Sequence, residues 1–213
     1  MSILVTAATE MELAPFAEKN NNIRTLITGV GAPIALYHLA KEISKNSYSL
    51  IIQVGIAGAF NRDQSLGEAV VIEKDCFADL GVNEKGGFKS IFEMGLTDAN
   101  AFPFEEGFLV NKAINKFQTE NLKVVNAVTV NLISDKDDFI HQLQSKYNSD
   151  IETMEGAAFH YVCLQEKVPF LQVRGISNHV GERDKSKWKI KEAVDSSNCF
   201  VSKIIQSFQS NHL

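Results

Sequence analysis

Two glutamates and one asparagine stand at places in this chain where side chains could act on a bound ligand. Glu12 follows the apolar run from Ile3 to Ala8, inside the short polar break Thr9-Glu10-Met11-Glu12. It reads either as a solvated first-turn carboxylate favoured by a helix dipole or as a carboxylate aimed at a ligand. Glu155 stands between Met154 and Gly156-Ala157-Ala158, heading an apolar stretch. Carboxylates are rarely buried without partners, so it is either a buried cap or a contact to a hydroxyl-rich ligand. Asn178 ends an apolar run through Ser177. Its amide could make an N-cap or an Asx turn, or read the edge of a base with both of its polar atoms.

Glycines accompany these residues in Gly29-Val30-Gly31 and Gly55-Ile56-Ala57-Gly58. They could simply make tight turns, or let backbone N–H groups approach a ligand. A dinucleotide fingerprint would need a third glycine where Ile34 stands, and there is no Gly-Lys-Ser/Thr phosphate loop. No Gly-x-Ser-x-Gly elbow is present to build a serine hydrolase. The five histidines show no paired metal spacing. His38, His141 and His160 read as surface or packing residues, and His179, beside Asn178, is the one of interest. Cys76, Cys163 and Cys199 are odd in number and share no Cys-x-x-Cys spacing, so neither a disulfide framework nor a zinc site is implied. No metal and no cofactor is expected.

The elements that must position these residues alternate. Strand-like runs cover Ile3 to Ala8, Leu26 to Thr28, Leu50 to Val54, Ala69 to Glu73, Val124 to Ile133 and Val168 to Ile176. Helical patterns cover Glu10 to Glu18, Pro33 to Ser44, a segment capped by Ser134 and Asp135 that carries Phe139 to Tyr147, Glu155 to Gln165, and Trp188 to Phe208. Residues 79–107 form a long, phenylalanine-rich excursion with room for a hairpin. Strands alternating with helices predict one domain over residues 1–213, a three-layer α/β/α sandwich with a mixed, largely parallel central sheet. Ligands collect at the carboxyl ends of the strands in such sheets, which is where the glycines, Glu12 and Asn178 fall.

A net charge of −5 argues against nucleic acid or an anionic membrane as partner. It leaves room for a small anion held by local cations. The opening ILVTAA run has no basic region before it and is too short for a membrane span, so a cytoplasmic location is expected.

Taken together, ATEMEL at 8–13, TGVGAP at 28–33, VGIAGAF at 54–60, ETMEGAAF at 152–159 and VRGISNHVGERDKSKW at 173–188 resemble the nucleoside phosphorylase/hydrolase superfamily. The resemblance covers nearly the whole chain. It lies on the branch of methylthioadenosine/S-adenosylhomocysteine nucleosidase, and within that branch the chain is most similar to the futalosine hydrolases. It implies a mixed, partly barrel-like sheet and a homodimer or higher homo-oligomer. The implied partner is a small-molecule nucleoside, whose N-glycosidic bond is cut with water as acceptor. Glu12 falls on the general base and Glu155 on the carboxylate that holds the ribose hydroxyls, with Met154 beside the sugar. Ser177 and Asn178 fall near the purine. Val30, Ala57 and Gly58 line the sugar side, Trp188 covers the base pocket, and Arg174 stands behind these contacts.

That chemistry suits the residue types, because an oxocarbenium-like transition state needs help for the departing base and for water. The phosphorylase branch needs arginines for phosphate, and none is expected beside the glycine loops. Two departures matter. Asn178 stands where adenine-specific nucleosidases carry Asp, which favours hypoxanthine as leaving base, although an amide can also pair with the N6/N7 edge of adenine. Ile56 stands where nucleosidases commonly have Ser, leaving backbone N–H groups to serve the sugar. Futalosine carries a benzoate on the 5′ side of its ribose, for which Phe102, Phe104 and Arg183 are the candidates.

Overall fold

The computed structural model describes residues 2–117, 119 and 122–210. In chain order they form β1 (Ile3–Ala7), α1 (Glu10–Ala17), β2 (Arg24–Ile27), α2 (Ala32–Ile43), β3 (Leu50–Ala59), β4 (Ala69–Asp75), β5 (Gly81–Glu84), β6 (Gly87–Ser90), β7 (Leu109–Val110), β8 (Lys123–Thr129), α3 (Asp137–Tyr147), β9 (Ile151–Thr153), α4 (Gly156–Gln165), β10 (Phe170–His179) and α5 (Ile190–Ser210).

The alternation of side chains along a strand builds the layers. Ile3, Val5 and Ala7 of β1 join Leu50, Ile52 and Val54 of β3 against Leu13 and Phe16 of α1 and Val201, Ile204 and Ile205 of α5. Leu4 and Ile51 turn to the opposite face, where Leu39 of α2 and Phe159 and Val162 of α4 cover them. Both faces are buried, which is why these strands are continuous apolar runs in the sequence. The sheet between the helices is mixed and largely parallel, as expected.

Its order is β10-β4-β8-β9-β3-β1-β2, with β10 also pairing β3. That last pairing closes β3, β10, β4, β8 and β9 into a ring, the barrel-like part of the sheet. β3 makes this possible by its length. Leu50–Gln53 pair β1, while Gly58 and Ala59 continue onto β9.

Several boundaries differ from those expected. β3 runs past Val54 through the glycine motif to Ala59, and β10 runs past Ile176 through Ser177 and Asn178 to His179. The two strands pair in parallel over this stretch, with a bulge between Ile176 and Asn178, so cross-strand pairing overrides glycine's weak preference for strands. The third residue of β9 is Thr153, in a segment expected to be loop. The strand expected over Val124 to Ile133 ends at Thr129. Ser134 and Asp135 do not cap α3, which starts at Asp137 behind Lys136. Trp188 lies outside α5, in the turn before it. The excursion over 79–107 does contain a hairpin, β5–β6.

Candidate active site

Glu12 sits in the first turn of α1, where it is buried rather than solvated. Thr9 caps the helix and shares a capping box with it. Glu12 Oε2 accepts from Thr9 N at 3.0 Å and Thr9 Oγ1 at 2.8 Å, while Oε1 accepts from Ile56 N at 3.1 Å. The side chain is buried but lines an open cavity of about 320 Å³. Three donors therefore fix the carboxylate at the cavity wall. The Ile56 N–H is thereby used by Glu12 and is not left for a sugar, contrary to expectation.

Glu155 occupies the N-cap position of α4, yet its side chain does not cap that helix. Thr153 Oγ1 accepts from Gly156 N at 3.3 Å, and Thr129 Oγ1 accepts from Ala157 N at 2.7 Å. With the helix N–H groups satisfied elsewhere, the Glu155 carboxylate is free to turn into the cavity. There Oε1 accepts from Gly31 N at 3.0 Å, and Oε2 faces Arg174 Nη1 at 3.7 Å. Gly31 can present its N–H because φ of +93° suits glycine. Burial pushes the Glu155 pKa up, opposed by the Arg174 charge and the Gly31 N–H, while the charge of Glu12 adds to the rise.

Arg174 is wholly buried, donates to Gln53 Oε1 at 2.7 Å, and lies beside Gly55. A Cβ on Gly55 would stand 2.4 Å from Arg174 Nη1 and 2.8 Å from Glu12 Oε1. The glycine thus makes room for the cation and the carboxylate together. An arginine does stand next to a glycine motif, which the sequence reading did not expect, but it is committed to Gln53 and Glu155.

Asn178 lies in β10 and lines the same cavity. It forms neither an N-cap nor an Asx turn. Its Nδ2 donates to His179 O at 2.9 Å, and its Oδ1 accepts from Ser177 Oγ at 2.7 Å. The carbonyl of His179 can only accept, so it fixes which way the amide faces. One N–H and one lone pair of Asn178 remain for a ligand.

Val30, Ala57, Gly58, Met154, Ser177 and Trp188 line the same cavity with Glu12, Glu155 and Asn178. Arg183 and Lys185 join them from the segment leading to α5, and Arg183 lies 6.0 Å from the centre of the Trp188 ring. Trp188 is anchored by its Nε1–H to Glu182 O at 3.1 Å. The sequence reading missed Glu152, which lines the cavity at 7% exposure. Its signal in the sequence was its place at the head of the ETMEGAAF motif, three residues before Glu155.

Three candidates lie elsewhere. Phe102 and Phe104 line a separate hollow of about 630 Å³ with Cys163, Pro169 and Phe170, at the other end of β10. Phe104 packs on Phe92 and Tyr161 there. His179 meets Gln64 O at 3.2 Å and does not line the site. His160 is a packing residue, as expected, wholly buried with Nδ1 on Leu109 O at 3.0 Å.

A cavity lined by three carboxyl groups, an amide and an aromatic ring is a site for a polar, ring-bearing ligand at the carboxyl ends of β1, β3 and β10. Comparison with known proteins gives it a class. The phosphorylase superfamily profile matches residues 19–210. The chain belongs to that superfamily, among its N-glycosyl hydrolases. A futalosine hydrolase of Thermus thermophilus is 32% identical over 208 residues, spanning 91% of this chain and 90% of its own. A 5′-methylthioadenosine/S-adenosylhomocysteine nucleosidase of Aeromonas salmonicida is 29% identical over 180 residues, spanning 82% and 72%. The structure of a futalosine hydrolase mutant of Helicobacter pylori strain 26695 superposes with a TM-score of 0.83 at 16% identity, covering 97% of this chain and 99% of that one. That likeness establishes the fold.

Proposed function

We propose that this chain hydrolyses the N-glycosidic bond of futalosine, releasing hypoxanthine and dehypoxanthine futalosine, a step of menaquinone biosynthesis. The observation that carries the reading is the convergence of Glu12, Glu155 and the oriented amide of Asn178 on one cavity. In this reading Glu12 accepts a proton from the attacking water, and the departing hypoxanthine takes up a proton at N7 from solvent. Glu155 holds the ribose hydroxyls and, with Glu12, stabilises the positive charge that develops on the sugar. Asn178 takes the purine at its O6/N7 side, with Ser177 fixing the amide. Met154, Val30, Ala57 and Gly58 shape the sugar side, and Trp188 covers the base.

Water is the acceptor in this scheme. Arg174 is already committed to Gln53 and Glu155, and Glu12 would repel a phosphate. Arg183 and Lys185 lie at the cavity and suit the benzoate of the 5′ tail; Phe102 and Phe104 could meet it only from a neighbouring subunit of a homo-oligomer. A cytoplasmic setting fits a nucleoside substrate. Among the described residues no helix is long and apolar enough to cross a membrane.

The test is base release by chromatography in phosphate-free buffer, with futalosine, aminodeoxyfutalosine, methylthioadenosine and inosine in parallel. Hypoxanthine from futalosine supports the reading. Adenine from methylthioadenosine or aminodeoxyfutalosine with futalosine untouched would overturn the base assignment and keep the hydrolytic one. Absolute dependence on phosphate would overturn the choice of water.

A further inference from the structure

The scheme above leaves one buried group at the site without work. Among the described residues, the Glu152 carboxyl makes no hydrogen bond and no salt bridge, although the residue is 7% exposed and lines the cavity. Burial pushes its pKa up to about 7, with the Arg183 charge opposing the rise and Asp79 adding to it. The carboxyl is unpaired where it meets the cavity, so a ligand bound there can supply its partner.

The sheet register says which part of the ligand. Glu152 of β9 pairs with Gly58 of β3, and Gly58 pairs with Asn178 of β10. Directly paired residues on neighbouring strands point to the same face. Glu152 and Asn178 therefore flank Gly58 across three paired strands, two strand spacings or about 10 Å apart, and both line the cavity. The Cβ that Gly58 lacks would stand 3.2 Å from Val180 Cγ2 and 3.3 Å from Asn178 Nδ2, so glycine is needed for the Asn178 amide and Val180 to pack there. The result is a cavity floor at Gly58 with an amide on one strand and a carboxyl on another, suited to a flat heterocycle with polar atoms at both places.

We infer that Glu152 is a specificity-determining residue whose carboxylate accepts the N1–H of a 6-oxopurine while Asn178 holds the O6/N7 side. This rests on the nucleoside hydrolase reading and deepens it. Asn178 alone does not select the base. Its free N–H and lone pair can serve O6 and a protonated N7 of hypoxanthine, or N7 and the 6-amino group of adenine. N1 separates the two: hypoxanthine carries a proton there, whereas adenine presents a bare lone pair that a carboxylate repels. A site built around a hydrogen bond rejects the analogue that cannot make it.

The test is Glu152→Met, which removes the acceptor and keeps the length of the side chain. Isothermal titration at pH 8, where the carboxyl of Glu152 is mostly ionised, with free hypoxanthine and free adenine reads the base site without the 5′ group. Wild type should prefer hypoxanthine, and the variant should lose about tenfold or more of that preference, mainly through weaker hypoxanthine binding. The thermal midpoint of the unliganded variant should not fall, because the carboxyl it loses has no partner. Equal losses for both bases, an unchanged ratio, or a wild type indifferent to the two bases would overturn the inference. Failure of wild type to cleave futalosine, with the base preference behaving as stated, would overturn the substrate and leave Glu152 as the reader of N1.

Discussion

Arg174 and Glu155 face each other across 3.7 Å with side chains 1% and 6% exposed. The same guanidinium nitrogen reaches over Gly55 toward Glu12. One buried cation therefore faces Glu155 and stands beside Glu12 across Gly55, opposing the rise that burial causes in the Glu155 pKa.

Replacing Arg174 with Gln should raise the Glu155 pKa further, since the arginine opposes the rise that burial causes. If Glu155 works ionised, activity is lost as pH falls through its pKa. The acid limb of kcat/KM should then move to higher pH in Arg174→Gln. Leaving Glu155 buried without its cation should also destabilise the fold by about 3–5 kcal/mol. Denaturant unfolding together with a pH–rate profile checks both, and an unshifted acid limb would remove Arg174 from the electrostatics of the site.

Gly55→Ala tests the same geometry from the backbone side. A methyl group 2.4 Å from Arg174 Nη1 and 2.8 Å from Glu12 Oε1 must displace one of them. Misplacing a reacting group by about 1 Å can cost about 10²-fold in rate, and the crowding itself should cost about 1–3 kcal/mol. Single-turnover rates and thermal unfolding measure the two effects. A fully active Gly55→Ala would mean that Glu12 need not sit where Ile56 N and Thr9 hold it.

Much of this site was legible from residue type and order. Glu12 could be singled out because a strand end, a polar break and a helix start coincide within Ala8 to Glu12, and the structure puts it at that junction. Strand edges were less legible. Gly55 and Gly58 suggested a turn after Val54, but β3 continues because β10 and β9 pair with it there, and a single segment does not display its partners. For the same reason Glu152 was hidden. Its place opposite Gly58 and Asn178 is a property of three strands distant in sequence. Phe102 and Phe104 misled in the opposite way, because an aromatic-rich loop is as ready to pack on Phe92 and Tyr161 as to meet a ligand.

Arg183 is exposed and lies at the cavity beside Trp188. If it meets the benzoate of futalosine, Arg183→Ala should raise KM by about fivefold with kcat nearly unchanged, since an exposed ion pair is worth at most about 1 kcal/mol. Added salt should raise the wild-type KM in the same sense and have less effect on the variant. Steady-state kinetics on futalosine at low and high ionic strength decide it. An unchanged KM would remove Arg183 from substrate binding.

His160 provides a test of the fold that is separate from the chemistry. It is wholly buried, packs edge-on against Phe170 with ring centres 4.7 Å apart, and its Nε2 has no hydrogen-bond partner among the described residues. Burial pushes its pKa down to about 4, assisted by the Arg174 charge and opposed by the Leu109 carbonyl. Below about pH 6.5 the unfolded chain binds a proton that the folded chain refuses until about pH 4, so this residue's contribution to stability falls as pH falls through that window. Between pH 7 and pH 5 the wild type should lose about 2 kcal/mol relative to His160→Phe, which has no proton to take up there. Urea unfolding of both proteins at the two pH values gives the difference directly. A constant difference would mean that the imidazole is protonated as readily inside the fold as outside it.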